Sequence, residues 1–415
     1  MARGEGRPGG RAALEALMRR RLGRECLYTP SCRLGLYVAL RHWCRPGGRI
    51  LMSPVNDDVI FFVVLAAGLR PVQAPLNPLD GTIDLGAVPE ATWRGLSAVL
   101  TANLYGNPDP APELRARCDA SGIPLIEDAA HAIGSVHTDG RHVGAVGDAS
   151  VFSLSKHAGA GTGGFLAFAD PALRPRLEAL RDELLRPARF ASEVLYALRP
   201  YAEAGVRGLR LTGAAHAALR VLGAEERAEI RMPLRAAELA RALAPAAVPG
   251  LDPLDPWIRV DMHPYRITPG PVRLRRTTRL LERLDARLAR HAAGTAALLN
   301  AIPAGLRHAP GESPRRPQPL FRVPLLVADR DAALAALARR RITVGYLYDP
   351  PLDAYAGEEF TDPSPEPGPA AWFARHALPV DPCRAAEIAP VLAALPVTPV
   401  QPPRSAPARE GRDGG

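Results

Sequence analysis

Residues 29–170 alternate between short apolar runs and helix-length segments, and this alternation limits the possible folds more than any other feature. The strand-like runs lie at 49–53, 71–74, 97–101 and 123–127. The helical segments between them lie at 34–43, 57–67 and 111–120. Such a pattern is typical of an α/β fold, a largely parallel sheet with helices on both faces. In these sheets, ligands bind beyond the carboxyl ends of the strands.

Lys156 is the only lysine of the chain, because 51 of the 52 basic residues are arginine. Arginine stays protonated in proteins, whereas a lysine amine can lose its proton and attack a carbonyl carbon to form a Schiff base. Lys156 follows a predicted strand at 151–154 and precedes a glycine-rich turn at 158–164. We therefore predict a nucleophilic amine beside an open loop, rather than an ordinary surface lysine.

Glu127, Asp128 and His131 follow another predicted strand. A carboxylate held beside the ring nitrogen of pyridoxal phosphate keeps that ring protonated and able to accept electrons. If this is the cofactor, Asp128 is expected to be that carboxylate, with Glu127 turned toward the structure. His131 is expected to contact the cofactor ring or its phenolic oxygen, and a purely structural hydrogen bond is the equal alternative.

Two further segments give weaker signals. Ser31, Cys32 and Arg33 precede a helix whose N-terminus suits a phosphate group, although a simple Ser N-cap explains Ser31 equally well. Asn103 and Tyr105 lie in a turn after a strand, where either side chain is placed to meet a ligand.

The composition sets the class of protein. With 415 residues, 47% hydrophobic and 23% charged, the chain is expected to form two globular domains. The longest uncharged apolar run, 59–69, is too short for a membrane span, so a cytoplasmic location is expected. Five scattered cysteines favour neither a disulfide framework nor a metal site. The net charge of +9 is spread over many helices without a nucleic-acid motif, and it favours anionic small molecules instead.

The chain divides into five predicted parts. They are an N-terminal arm and helix (1–28), a large domain (29–170), a helical insertion (171–275), a linking helix with a small α/β domain (276–398) and a disordered tail (399–415). The predicted helices outside the large domain lie at 11–22, 171–185, 191–222, 276–299, 331–340 and 383–395. The small domain is expected to contain strands at 321–327 and 342–346.

Several motifs together resemble the DegT/StrS family of pyridoxal phosphate-dependent sugar aminotransferases. They are Phe152-Ser153-Leu154-Ser155-Lys156, the glycine-rich run 161–164, the segment 127–135 and the segment 144–148. Weaker matches lie at 68–72, 103–106, 346–351 and 378–379. The resemblance covers most of residues 28–396, apart from the helical insertion.

The resemblance implies a fold-type-I enzyme, a homodimer with active sites at the subunit interface. Lys156 would form the Schiff base, Asp128 would pair with the ring nitrogen, His131 would lie near the cofactor oxygen and Ser153 would bind the phosphate. The implied reaction transfers an amino group from a glutamate-like donor to a keto sugar or related molecule, in secondary-metabolite or cell-surface sugar biosynthesis. No nucleic acid, integral membrane segment or metal takes part.

Two alternatives remain beside that reaction. The first is a pyridoxal phosphate-dependent dehydratase or lyase of the same family. That family includes sugar dehydratases in which His replaces the Schiff-base Lys, and here Lys156 at that position favours transamination. The second alternative is an inactive scaffold or regulatory protein. It is motivated by Ser31-Cys32-Arg33 in the phosphate loop and by Asn56-Asp57-Asp58 where the family has an aromatic residue that stacks on the cofactor.

Overall fold

The computed structural model describes residues 10–188, 193, 231–259, 265–301 and 318–394. Most of the predicted helix at 191–222 and the whole predicted tail at 399–415 lie outside these residues. The account below concerns the described residues alone.

A seven-stranded sheet forms the centre of the described structure, in the order β1-β7-β6-β5-β4-β2-β3. Its strands are β1 (Glu25–Thr29), β2 (Arg49–Met52), β3 (Arg70–Gln73), β4 (Ala98–Thr101), β5 (Leu125–Asp128), β6 (Ala149–Ser153) and β7 (Gly164–Phe168). Strand β7 runs antiparallel to both of its neighbours, and the other six strands point the same way. The predicted α/β class with a largely parallel sheet is confirmed.

Strand β1 corrects one predicted boundary. The sequence analysis assigned residues 1–28 to an N-terminal arm, but Glu25–Thr29 pairs along its whole length with β7. The run is short and carries a charged residue at its start, so its local pattern does not distinguish it from a loop. Its strand character comes from pairing with β7, which lies far away in the sequence.

Helices cover both faces of the sheet, because alternate residues of each strand face opposite ways. In the N-terminal part they are α1 (Arg11–Leu22), α2 (Cys32–Trp43), α3 (Asp58–Ala66), α4 (Glu90–Arg94), α5 (Ala111–Ser121) and α6 (Arg174–Leu184). On β4, Ala98 and Leu100 pack in one core with α2 and α3, whereas Val99 packs in another core with α5. Burial on both faces explains why most residues of these strands are apolar.

The C-terminal part contains a second, smaller sheet. Strands β8 (Val323–Leu326) and β9 (Ala377–Val380) pair antiparallel. The helices of this part are α7 (Ala236–Leu243), α8 (Asp255–Ile258), α9 (Pro271–Glu282), α10 (Leu284–Ala301), α11 (Arg330–Arg339), α12 (Leu352–Ala356), α13 (Pro367–His376) and α14 (Ala385–Ala393). Leu298 of α10, Leu337 of α11 and Ile388 of α14 meet the small sheet in one core.

Two predicted elements of this part are wrong. The predicted strand at 342–346 is not a strand, because Arg341 and Tyr346 adopt positive φ angles of 58° and 64° and interrupt extended pairing. The predicted single helix at 276–299 is two helices that meet at Arg283. Leu281 of the first helix and Leu284 and Leu288 of the second all pack in the core beside α1.

Among the described residues, no helix combines the length and the apolar character that crossing a lipid bilayer requires.

Candidate active site

The predicted site residues gather at one edge of the main sheet. Ser153 at the end of β6 pairs with Gly164, and Gly164 pairs with Thr29 at the end of β1. In the neighbouring strands, Asp128 lies opposite Val151 and Thr101 lies opposite Glu127. The loops that carry Ser31, Asn103, His131 and Lys156 therefore leave the sheet at the same edge, as the parallel topology requires.

Lys156 lies in the turn that follows β6, with its amine against two aromatic rings. Its Nζ is 4.1 Å from the ring centroid of Tyr346 and 5.6 Å from that of Phe321. The side chain is half-buried. The turn is held by its own backbone, since Ala160 N–H donates to the carbonyl oxygen of Leu154. The single lysine of the chain thus points into the protein rather than into solvent.

Asp128 ends β5 as a buried carboxyl group, with 3% of its surface exposed. Burial raises the pKa of Asp128 to about 7, and the nearby Asp57 carboxylate adds to the rise. The Ala130 N–H, which donates to Oδ1 at 2.9 Å, and the Lys156 ammonium act in the opposite direction. A further cation close to this carboxyl group would strongly favour its ionised form.

Glu127 lies in a different environment. Burial alone would raise its pKa, but a hydrogen bond from His137 and the N–H groups of Gly147 and Gly144 lower it below the ordinary value. Val146 N–H also donates to this carboxylate, at 2.8 Å. Glu127 therefore anchors the 144–147 turn, which agrees with its expected structural role.

His131 stands in a stack of aromatic side chains. Its ring is nearly parallel to that of Phe321, with centroids 4.9 Å apart, and it is parallel to the Tyr105 ring at 6.3 Å. The Tyr346 ring meets it edge-on at 5.7 Å. Burial lowers the pKa of His131 well below its usual range, and the positive charge of Lys156 adds to the effect. A neutral imidazole results, which is able to lie against another ring without a charge.

Tyr105 and Asn103 hold the turn after β4 in place. The Tyr105 hydroxyl donates to the carbonyl oxygen of Tyr346 at 2.7 Å, and its own carbonyl oxygen accepts from Phe321 N–H at 2.8 Å. Asn103 Nδ2 donates to the carbonyl oxygen of Asp128 and to Thr101 Oγ1, both at 2.9 Å. Both residues therefore hold neighbouring parts of the site in place. The Asn103 amide group donates to protein atoms instead of pointing toward a ligand, as the sequence had suggested.

The N-terminus of α2 approaches the same edge through Ser31, Cys32 and Arg33. Ser31 is the N-cap: its Oγ accepts from Leu34 N–H at 3.2 Å. The Arg33 guanidinium donates to the carbonyl oxygen of Ile258 at 2.6 Å and thus reaches the C-terminal end of α8. Burial raises the pKa of the Cys32 thiol well above its ordinary value, and the nearby Asp128 adds to this rise. Cys32 is consequently a protonated thiol close to the Asp128 carboxyl group.

Close backbone packing brings α2 to this edge. A Cβ atom on Gly164 would lie 2.7 Å from Cys32 N and 2.6 Å from the carbonyl oxygen of Phe152. Ser153, the predicted phosphate ligand, shares a hydrogen bond of 2.8 Å with Ser155 through their hydroxyl groups. In the turn before Gly164, the Thr162 hydroxyl is buried and has no hydrogen-bond partner among the described residues.

Sequence reasoning missed the residues that the C-terminal part brings to the site. Phe321, Arg322, Tyr346 and Tyr348 all lie around His131, Lys156 or Tyr105. The buried Arg231 guanidinium also comes close, and it donates to the carbonyl oxygens of Asn56 at 2.6 Å and of Tyr348 at 3.3 Å. The resemblance at 346–351 marked part of this segment, but no local pattern indicates that it contacts Lys156.

The comparisons with known proteins agree with this geometry. Residues 12–198 match the family model described as the DegT/DnrJ/EryC1/StrS aminotransferase family. This part of the chain is similar to that family. Among solved structures, a DegT/DnrJ/EryC1/StrS aminotransferase from Brucella abortus covers 92% of this chain and 89% of its own length, with a TM-score of 0.63 and 17% identity. The sugar aminotransferase CalS13 from Micromonospora echinospora has the same TM-score at 20% identity, covering 92% and 91% of the two chains. At these identities the likeness establishes the fold-type-I architecture.

Curated relatives match the DegT/DnrJ/EryC1/StrS part over a shorter range. EryC1, the erythromycin biosynthesis sensory transduction protein of Saccharopolyspora erythraea, is 37% identical over 139 residues, 33% of this chain and 38% of its own length. The L-glutamine:2-deoxy-scyllo-inosose aminotransferase of Streptoalloteichus tenebrarius is 39% identical over 122 residues, 29% and 28% of the two chains. The dTDP-3-amino-3,4,6-trideoxy-alpha-D-glucose transaminase of Streptomyces venezuelae is 32% identical over 140 residues, 33% and 37%. The chain thus spans about a third of the length of the curated relatives that it matches.

Proposed function

We propose that the protein is a pyridoxal phosphate-dependent aminotransferase that moves an amino group from an amino acid donor to a keto group of a sugar or related small molecule. One observation carries the proposal: the single lysine of the chain lies at the carboxyl edge of the sheet, close enough to the buried Asp128 to oppose the rise of its pKa. The match of residues 12–198 to the aminotransferase family model supports it, as do the names of the sugar and inosose aminotransferases among the relatives.

The described residues fit pyridoxal phosphate. Asp128 is a buried acid beside an amine, the arrangement that a protonated pyridine nitrogen and an aldehyde need. Two buried polar atoms of this edge, Thr162 Oγ1 and Asn56 Nδ2, have no protein partner in the described structure. Unpaired buried groups of this kind are rare unless a ligand completes them. The close approach of α2 at Gly164 brings a helix N-terminus to the same place, where a phosphate is favoured.

Each proposed residue has a distinct task. When bound, the cofactor supplies a ring that accepts electrons from the carbon bearing the transferred amino group. Lys156 holds the cofactor through its Nζ and, once released, moves a proton at that carbon. Asp128 stays ionised beside the protonated ring nitrogen, and the neutral His131 packs against the ring or its oxygen. Ser153, Ser31, Cys32 and Arg33 form the phosphate side of the site, while Asn103 and Tyr105 position the strand end and the C-terminal segments.

We further propose a cytoplasmic homodimer whose subunits share their active sites, with an amino acid such as glutamate as donor and a keto sugar as acceptor. Two of the relatives are named as an inosose aminotransferase and as a dTDP-amino-sugar transaminase, which makes an inosose and a nucleotide-linked keto sugar the two acceptor classes to assay first.

The lone lysine makes the first test unambiguous. The purified protein, incubated with pyridoxal phosphate, is expected to absorb at about 410–430 nm and to keep the label on Lys156 after borohydride reduction and peptide mapping. Lys156→Arg is the matched control, since it keeps the charge but supplies no neutral amine. A protein that remains colourless, or a label found only on the N-terminal amine, would support the inactive scaffold instead.

The second test separates amino transfer from dehydration. On adding glutamate or glutamine without an acceptor, the absorbance is expected to move to about 330 nm while a stoichiometric amount of 2-oxo acid forms. Asp128→Asn is expected to bind the cofactor yet lose this conversion by at least about a hundredfold, since the ring nitrogen then lacks its anionic partner. Water loss from a keto sugar without 2-oxo acid formation would instead support the dehydratase.

A further inference from the structure

Two aromatic rings lie close to the amine of Lys156, and the His131 ring packs against both of them. Its Nζ lies 4.1 Å from the Tyr346 ring centroid and 5.6 Å from the Phe321 centroid. These two rings meet edge-to-face at 5.0 Å and 77°, and the His131 ring stacks on Phe321. A cation over an aromatic face is attracted by the negative charge of that face, most strongly where water is excluded. The nearest ring, that of Tyr346, therefore holds the ammonium in place.

A second cation shares the same two rings. The Arg322 guanidinium carbon is 4.2 Å from the Phe321 centroid and 5.1 Å from the Tyr346 centroid. Both positively charged groups therefore lie within cation–π distance of the Tyr346 ring.

Tyr346 is attached to the protein by its backbone rather than by its ring. The Tyr105 hydroxyl donates to the Tyr346 carbonyl oxygen, and Tyr346 has a φ of 64°, a conformation that is rare for a residue with a side chain. Its side chain is half-buried. The backbone is fixed at this point, while the ring is able to turn about χ1 without breaking a hydrogen bond that the structure shows.

We propose that Tyr346 is a positioning residue that covers the Lys156 amine until a carbonyl compound arrives, and that its ring must leave Nζ for the amine to react. Condensation with an aldehyde requires the ammonium to release one proton, forms a C=N bond and releases one water molecule. The product is no longer the compact ammonium that the ring holds, because its nitrogen is conjugated with the carbonyl compound and any charge on it is spread, so the Tyr346 contact favours the unreacted form. The proposal rests on the proposed function for its purpose, but the covered amine is measurable without any cofactor.

The first experiment observes the amine directly. Lysine labelled with ¹³C at Cε marks a single site, because the chain has one lysine. In cofactor-free protein, the Lys156 Hε signals are expected upfield of free lysine, since they lie over the ring face. Tyr346→Phe should keep this shift and Tyr346→Leu should reduce it. Tyr348→Leu is the matched control, because the Tyr348 ring stacks on Tyr105 and not on Lys156. Hε signals at the free-lysine position in the wild-type protein would overturn the proposal even if a variant failed to fold.

The second experiment measures competition between Tyr346 and the carbonyl compound. Binding of pyridoxal phosphate, and of pyridoxal without the phosphate, is followed by absorbance titration. Tyr346→Leu is expected to bind each of them about five- to thirtyfold more tightly, the factor that one desolvated cation–π contact supplies. Tyr346→Phe should remain like the wild type. Weaker binding by Tyr346→Leu would make Tyr346 a cofactor contact, and unchanged binding would remove it from the site; either result refutes the proposal. If the wild-type protein binds neither compound while the upfield shift is present, the proposed function fails and the covered amine stands.

Discussion

Replacing Asp128 by Asn should stabilise the cofactor-free protein, and increasingly so as the pH rises. The pKa of Asp128 is about 7 in the folded protein, against 3.8 for an ordinary aspartate. Between these values the folded form retains a proton that the unfolded chain has lost, so stability falls as the pH rises through this range and is level above it. One pKa unit corresponds to about 1.36 kcal/mol. A difference of about 3.2 therefore lowers the free energy of unfolding by about 4 kcal/mol above pH 8 and by about 2 kcal/mol at pH 5.5.

Asn removes this penalty and keeps an oxygen that is able to accept the Ala130 N–H. The measurement is urea unfolding of cofactor-free wild type and Asp128→Asn at several pH values from 5.5 to 8.5. The stability advantage of the variant should grow by about 2 kcal/mol across this range. Asp119→Asn, at an exposed carboxylate on α5, is the control and should show no such growth. An advantage of Asp128→Asn that does not change with pH would refute the reasoning, because it would mean that burial does not raise the pKa of Asp128.

Two further predictions concern the surroundings of the site. Burial lowers the pKa of His157 to about 3, and the nearby His291 adds to the effect, so stability should be lost as the pH falls from 6.5 toward 3. His157→Gln should reduce the loss between pH 7.5 and 5 by about 2 kcal/mol in urea unfolding, and an equal loss in both proteins would contradict this origin. Gly164→Ala should lower the free energy of unfolding by about 1–3 kcal/mol or more, because its Cβ meets backbone atoms at 2.6–2.7 Å. Gly86→Ala, where the nearest atom is 3.5 Å away, should leave that free energy nearly unchanged.

The sequence contained enough information to predict the main sheet, because its strands are buried on both faces and separated by helices. Predicted and observed bounds of the helix at 111–120 and the strand at 49–53 differ by one residue at a single end. Strand β1 was missed because only its pairing with β7 makes it a strand. The prediction of a strand at 342–346 was wrong because the apolar residues of this segment pack in different places: Ile342 lies in the core of the small sheet, and Tyr346 lies beside Lys156.

The candidate site was likewise predictable from the sequence only in part. Lys156, Asp128 and His131 were visible in the sequence because each closely follows a strand end and because lysine occurs once. The strand topology then brings them to one edge without further information. Phe321, Tyr346 and Arg322 were not visible, since aromatic residues and arginines occur throughout the chain and only tertiary contacts select these three. The separate roles of Glu127 and Asp128 depend on which carboxylate receives backbone N–H groups from the 144–147 turn.

Tyr105 joins the N-terminal and C-terminal parts of the protein beside Lys156, and this matters for the construction of chimeras between this protein and its relatives. Its carbonyl oxygen accepts a hydrogen bond from Phe321 N–H, and its hydroxyl donates one to the carbonyl oxygen of Tyr346. A C-terminal half transplanted from a relative would have to meet a tyrosine at this turn in the same pose. Crossover points that separate residue 105 from residues 321 and 346 should therefore yield hybrids in which the aromatic rings near Lys156 are displaced, even when each half folds well.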